Sequence, residues 1–278
     1  MGYKKLSDEQ EKQLVQEYVL GMPVKELMTK YNFASKKSII DKVKKHYGEN
    51  YKDLINSAKY NRKGYRYTFE KINNQFDAYY LGLLLTDGYI TSRGYDVGLD
   101  LTDEDCIAFL SEGIGKNYTK IEATKENRKT RYRLILTEKE LVSNLKRYGV
   151  VQNKSLSLTG PNLLPEEEKF IPYLIRGIID GDGTVSPTSY GAPQFAIYTA
   201  SEKFADWLVY ILENKMYMTD IHKNFQKNKY NGLWKVGTAN HNNILKLIAL
   251  SYDKPFGMTR KYKEIRKTFN DYNSPSFI

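Results

Sequence analysis

The chain has 278 residues, with 41% hydrophobic and 27% charged side chains, the balance of a globular protein long enough to bury a sizeable core. Its 43 Lys or Arg against 33 Asp or Glu give a net charge of +10, which together with 24 Tyr side chains points to a polyanionic partner, nucleic acid before a membrane surface. No apolar run approaches the roughly 18 residues of a membrane span, the opening MGYKKLSDEQ lacks the core of a signal peptide, and a single cysteine, Cys106, excludes an internal disulfide or a multi-cysteine zinc site.

The basic excess is concentrated at the amino end, where residues 1–74 hold 16 Lys or Arg against 9 Asp or Glu, the remainder holding 27 against 24. In chain order, LSDEQEKQLVQEYVLG predicts a first helix capped by Ser7, with Leu14, Val15, Tyr18 and Val19 inward and a stop at Gly21. MPVKELMTKYNF restarts with Pro23 in the first turn and Leu27, Met28 and Tyr31 inward. Ser35 can cap a third helix, KKSIIDKVKKHYG, with Ile40, Val43 and Tyr47 on one face and Lys37, Lys42, Lys44 and Lys45 elsewhere. A tight turn before a basic third helix resembles a helix-turn-helix, whose last helix enters the major groove. Residues 1–48 are therefore expected to be a small all-α unit, a helix-turn-helix-like DNA-binding domain with a plain helical interaction bundle as the alternative. The segment 49–73 follows, and its KYNRKGYRY reads equally as a solvated linker or as a tether whose Arg62, Lys63 and Arg66 neutralise phosphates.

From residue 74 onward the chain repeats itself. YLGLLLTDG (80–88) lies over IRGIIDGDG (175–183), so that Gly82 meets Gly177, Asp87 meets Asp182 and Gly88 meets Gly183. Beyond the motifs, VGLDLTDEDCIAFL matches FAIYTASEKFADWL, and TRYRLILTEKELVSNLKRYGV matches GLWKVGTANHNNILKLIALSY, each a strand running into a helix. Each half reads helix, two strands, helix, two strands, helix, and repetition of this length is rarely accidental. The stretch EEEKFIPYLIRGIID predicts one helix leading into the second motif. An aspartate at the end of that helix faces the negative pole of the peptide dipoles, so Asp182 requires a partner.

These two motifs resemble those of the LAGLIDADG homing endonuclease family in its two-repeat, single-chain form, over roughly residues 74–270. The resemblance implies an α+β fold of two pseudo-symmetric αββαββα repeats, 74–160 and 161–270, followed by a tail, 271–278. The repeats pack through the motif helices, and their antiparallel strands form a DNA-binding saddle. Gly82 and Thr86, and Gly177 and Gly181, are four apart and put small residues on one face of each helix, which permits close helix approach. Gly88 and Gly183 are expected to end the helices in a left-handed conformation.

The resemblance assigns metal binding to Asp87 and Asp182, with the peptide carbonyls of Thr86 and Gly181 contributing. Oxygen ligands without a His or Cys cluster favour Mg2+, with Mn2+ or Ca2+ as alternatives at the same sites, and such pairs suit phosphodiester hydrolysis. Leu85 stands where the family motif and the second repeat, at Asp180, have an aspartate, a change that bears on packing and not on the metal ligands. Similar segments in the family bring a lysine to the site from the basic turns VVQNKSLS and GMTRKYKE, which gives Lys154 and Lys261 as catalytic candidates. Outward residues of the strands, candidates for base or phosphate contact, are Arg93, Lys125, Arg131, Arg133, Gln194, Lys223, Gln226 and Lys235.

The function so implied is a site-specific, Mg2+-dependent endonuclease that cuts each strand of a long double-stranded DNA target once and leaves short 3′ overhangs. The expected protein is a monomer with internal pseudo-twofold symmetry, cytoplasmic and nucleoid-associated when bound to DNA. The alternative is a nuclease-dead DNA-binding regulator or an RNA-splicing maturase on the same scaffold. Retention of both aspartates favours cleavage. An intein is disfavoured, because Met1 and the terminal SPSFI lack splicing chemistry.

Overall fold

The computed structural model describes residues 6–55, 58, 64, 65, 67–125, 129–227 and 232–272. It divides into two compact units, residues 1–66 and 67–278. Arg62, Lys63 and Arg66 of the expected tether lie outside the described residues.

The first unit is helical. Helices α1 (Asp8–Val19), α2 (Val24–Lys30) and α3 (Lys36–Tyr47) enclose a core of Leu14, Val15, Tyr18, Leu27, Tyr31, Ile39 and Val43. Ser7 closes a capping box with Gln10, and Ser35 accepts from the Ser38 amide, so the chain itself marks both helix starts. Ile39 rather than Ile40 is the fully buried isoleucine of α3, a rotation of its inward face by one position. Tyr51 and Ile55, from the segment expected to be linker, pack on this core, whereas the second unit begins at Tyr67.

The second unit has two copies of one plan. The first runs α4 (Gln75–Thr86), β1 (Gly88–Ile90), β2 (Asp96–Leu101), α5 (Glu104–Ile114), β3 (Thr119–Ile121), β4 (Arg131–Thr137) and α6 (Lys139–Lys146). The second runs α7 (Ile171–Asp182), β5 (Gly183–Pro187), β6 (Pro193–Thr199), α8 (Glu202–Tyr210), β7 (His222–Gln226), β8 (Leu233–Thr238) and α9 (His241–Ser251), and α10 (Thr259–Tyr272) follows. Each copy makes a four-stranded antiparallel sheet, in the orders β1-β2-β4-β3 and β5-β6-β8-β7. The two-repeat α+β architecture is thus as the sequence implies.

Two local expectations change. The stretch expected to enter the second motif as one helix is a 3-10 segment, Pro165–Phe170, that hands over to α7. The basic stretch 257–264 is not a free turn but the entry into α10, whereas its counterpart around Lys154 is a short 3-10 turn.

Strand alternation sorts the sheet faces. Val97, Leu99, Leu134 and Leu136 are buried, as are Phe195, Ile197 and Val236 in the second sheet. Their neighbours on the opposite face include Tyr89, Asp100 and Arg133 in one sheet, and Gln194, Tyr198 and Lys235 in the other.

The joint between the copies carries a carboxylate that the sequence reading did not single out. Glu167 is fully buried and accepts from the Ile72 amide at 3.0 Å, the Leu164 amide at 2.8 Å, the Tyr148 hydroxyl at 2.5 Å and Arg147 at 3.1 Å. Each donor lies far from it or in a loop, so no sequence period announces it.

Candidate active site at the ends of the motif helices

The site is built by α4 and α7, which cross at their glycines. A Cβ on Gly82 would stand 2.4 Å from the Leu174 carbonyl oxygen and 2.8 Å from the Gly177 Cα. One on Gly177 would stand 2.2 Å from the Tyr79 carbonyl oxygen. At such separations only hydrogen at Cα fits, and the two backbones touch. Further along, a Cβ on Gly181 would meet the Thr86 Oγ1 at 2.0 Å and the Asp87 Oδ2 at 2.8 Å. The end of α4 therefore lies directly on the end of α7.

Gly88 and Gly183 are not left-handed, contrary to expectation. Gly183 is extended, with φ −104° and ψ 170°, and both glycines open the first strand of their sheets. Glycine is needed there because a Cβ would approach the Cα of Leu84 to 2.5 Å and that of Ile179 to 2.6 Å. The helix turns into the strand with no room for a side chain.

This junction gathers four charged side chains. Asp87 and Asp182 stand at the helix ends, each partly open to solvent and partly packed into the junction. Lys154 is buried, and its Nζ donates to the carbonyl oxygens of Thr86 at 3.2 Å and Gly88 at 2.5 Å. Lys261 Nζ donates to the carbonyls of Ile179 at 2.7 Å and Gly183 at 2.6 Å. Each lysine thus caps the carboxyl end of one motif helix, where the dipole favours a cation and disfavours the aspartates. Both ammonium groups also act on Asp182 through their charge.

The groups perturb one another. Asp182 is pushed up to about 6 by lost hydration at the junction and by the Asp87 carboxylate, against the pull of Lys154 and Lys261. Asp87 is raised by lost hydration, with the same two lysines opposing. Both lysines are lowered, mainly by burial, with the aspartates opposing. Two carboxylates that resist ionisation at one junction form a site that gains from a shared cation.

The donor set tests the cation. Among the described residues no group of three or more His, Cys, Asp and Glu comes together. A cation here therefore depends on two carboxylates and backbone carbonyls, all hard oxygen donors, and the side-chain-free Gly181 lets the two ends meet. The residues fit Mg2+ or a similar ion. The two carbonyls expected to assist are not equivalent, since the Thr86 oxygen already accepts from Lys154.

The remaining candidates divide. Arg133 lies on the outward sheet face, held by Asp100 through two bonds of 2.8 and 2.6 Å, with Arg131 3.8 Å from the same carboxylate. Tyr89 also donates to Asp100, at 3.1 Å. Gln194, Gln226 and Lys235 stand on the corresponding face of the second sheet. Arg93 pairs with Asp96 at 2.7 Å with its side chain still largely exposed, and Lys125 is exposed.

Lys223 is a correction. It shares the inward face with Phe225, which pairs with Trp234 across the strands. Its Nζ lies over the Trp234 ring and bonds Asp206 and Glu202 of α8, so alternation places it away from the outward face. In the helical unit the half-buried ammonium of Lys42 is bound by Glu11 of α1. Lys45 reaches the same carboxylate at 3.3 Å while remaining exposed, Lys44 lies over the Tyr51 ring, and Lys37 is exposed.

Comparison with known proteins bears on the second repeat first, where residues 170–250 match the LAGLIDADG-like domain. No curated protein matches the chain. Among solved structures, the homing endonuclease I-WcaI bound to its DNA recognition sequence is 12% identical, with 82% of this chain and 93% of that one covered and a TM-score of 0.47. The homing endonuclease I-DmoI, in mesophilic variants, is 15% identical, covering 65% and 97% with a TM-score of 0.41. Full-length DUF199/WhiA from Thermatoga maritima is 13% identical at a TM-score of 0.44. The match takes in 73% of this chain but only 63% of that protein's length. Among the described residues no helix is long and apolar enough to cross a membrane.

Proposed function

With residues 170–250 a LAGLIDADG-like domain and residues 74–150 an earlier copy of its plan, we propose that the protein is a site-specific double-strand DNA endonuclease. The observation that carries the reading is the convergence of Asp87, Asp182, Lys154 and Lys261 where the motif helices meet. A scaffold used only for binding has no chemical need for two carboxylates placed against helix dipoles and against each other.

Asp87 and Asp182 would hold the divalent cation, with backbone carbonyls of the helix ends. A bound Mg2+ supplies charge stabilisation at the scissile phosphate and lowers the pKa of water. The chain's own groups do the rest. Water attacks phosphorus, the bond from phosphorus to the 3′ oxygen breaks, and the strand is left with a 5′ phosphate and a 3′ hydroxyl. Lys154 and Lys261 neutralise charge on the phosphate. Burial lowers the pKa of both ammonium groups, so Nζ gives up a proton more readily than an ordinary lysine. With one lysine and one aspartate from each repeat, the pseudo-twofold arrangement serves two strands.

DNA would lie on the outward faces of the two sheets. Arg133, fixed by Asp100, has the planar fork that pairs with guanine edges or phosphates, and Arg131, Gln194, Gln226 and Lys235 add to that surface. The helical unit, with Lys37 and Lys45 exposed on α3, would extend the footprint.

The test is cleavage of a genomic or randomised DNA library with Mg2+, comparing wild type with Asp87→Asn and Asp182→Asn. Specific double-strand cuts by wild type, with nicking or no cleavage by the variants, support the reading. Sequence-selective retention of DNA without cleavage by wild type would replace it with a binding protein.

A further inference from the structure

We propose that Arg176, Asp180 and Tyr79 are positioning residues that set Lys261 at the end of α7, a role resting on the reading of Lys261 as part of the active site. Lys261 follows a loop, 252–258, that has no regular structure of its own. Its Nζ is useful only if that loop is fixed, since a lysine stem has many rotamers.

The loop is fixed from α7. Arg176 is fully buried, and its Nη1 donates to the carbonyls of Ser251 at 2.9 Å and Lys254 at 3.0 Å, while Nη2 donates to that of Phe256. Its guanidinium lies over the rings of Tyr252, Phe256 and Tyr262. Asp180, one turn on, accepts from the Tyr252 hydroxyl and the Tyr79 hydroxyl, both at 2.8 Å. The Tyr79 oxygen in turn accepts from the Met258 amide at 3.0 Å. Gly257, with φ +66°, lies against the Tyr79 ring, where a Cβ would stand 2.2 Å from Cζ. Two residues of the first repeat complete the entry to α10: Asp105 receives the Thr259 amide at 2.9 Å and Asp103 binds Arg260 at 2.8 and 3.1 Å. Met258, Thr259, Arg260 and Lys261 thus each make a defined bond in succession.

The repeat plan does not dictate this network. In the first repeat Leu81 and Leu85 stand in place of Arg176 and Asp180, and the same sheet and helices form around them. Buried charge is commonly replaced by apolar residues at no loss of stability. Lys154 is also reached through a loop, residues 147–153, but it sits in a short 3-10 turn, and α4 offers that loop no counterpart of Arg176 or Asp180. The buried charges occur in the repeat whose lysine arrives from farther along the chain.

The experiment measures the reactivity of Lys261 and Lys154 towards an amine-labelling reagent by mass spectrometry in the full chain, comparing wild type with Tyr79→Phe, Tyr252→Phe and Asp180→Asn. Loss of one buried hydrogen bond should raise Lys261 labelling about fivefold while Lys154 stays within about twofold. Unchanged Lys261 labelling, or an equal rise at both lysines, overturns the proposal. On cleavable DNA the same variants should slow the strand that Lys261→Met slows, shifting the ratio of the two cuts, and should add nothing in a Lys261→Met background. A purely structural role would slow both strands alike. If wild type cuts no DNA, the nuclease reading fails, and the labelling ratio still decides the positioning role.

Discussion

The two motif helices share a backbone course but not a chemistry. At the two turns before its end helix α4 buries Leu81 and Leu85, each at most 2% exposed, whereas α7 buries Arg176 and Asp180 at the equivalent positions. Their shared features, glycine at the crossing and aspartate at the end, are those that bring two helix ends together. Their differences follow what each helix must hold: α4 reaches the loop that leads to Lys261 through Tyr79 alone, and α7 anchors that loop through the charged pair Arg176 and Asp180. Symmetry is kept in the frame and given up in the wiring.

Breaking the shared feature should cost most. Gly177→Leu forces a side chain into the space of the Tyr79 carbonyl, at 2.2 Å from its Cβ, and should abolish cooperative folding of the second unit in a thermal melt, a loss above about 4 kcal/mol. Transferring the wiring is the next test. Leu85→Asp buries a carboxylate where the first repeat has no tyrosine pair to receive it, and should destabilise by about 3–5 kcal/mol in denaturant titration. The reverse exchange, Asp180→Leu, leaves the Tyr79 and Tyr252 hydroxyls without their acceptor and should cost less, about 1–3 kcal/mol. An equal cost for the two exchanges would deny that the helices have diverged in role.

The outward faces give a smaller contrast. Burial alone would push Asp100 up, but Arg133 and Tyr89 hold it below the usual carboxylate range. A carboxylate whose folded pKa is depressed contributes stability that is present above its unfolded pKa and lost as pH falls through the folded one. Asp100→Asn should therefore remove up to about 1 kcal/mol at neutral pH and nothing once the pH has fallen below the depressed pKa of Asp100. Its counterpart position in the second sheet carries Tyr198 in place of a carboxylate, so Tyr198→Phe should leave the acid side of the stability profile unchanged.

The smallest effect concerns the helical unit. If α3 contacts phosphates, Lys37→Ala should weaken DNA retention a few-fold and reduce its salt dependence by about one ion. Lys42→Ala should alter the melting of this unit more than its DNA affinity, because Glu11 already holds that ammonium.

The repeat, the motif glycines and the two aspartates were legible because each obeys a local rule. A helix shows its buried stripe in the spacing of Leu and Ile, a strand alternates, and a duplicated plan repeats both. Lys154 and Lys261 were found only through the basic segments that follow each last helix, and the sequence did not show that one enters from a turn and the other from a helix start. Glu167, Tyr79 and Arg176 went unnoticed because their partners lie far along the chain, such as Ile72 for Glu167 and Ser251 for Arg176. The misplacement of Lys223 has the same origin: charge suggested the solvent face, but alternation with Val236 and an acidic α8 drew it to the other.

The sequence by itself determined the helical first unit, the duplicated second unit and the residues at the ends of the motif helices. Helix caps, hydrophobic period and small-residue spacing act between near neighbours and can be read without a fold. Only tertiary structure decided which lysine caps which helix, why Gly88 and Gly183 must lack side chains, and how a loop after α9 is tied to α7 and α4. Those outcomes depend on backbone approach and on hydrogen bonds between groups separated by scores of residues, and such bonds leave no periodic mark on the chain.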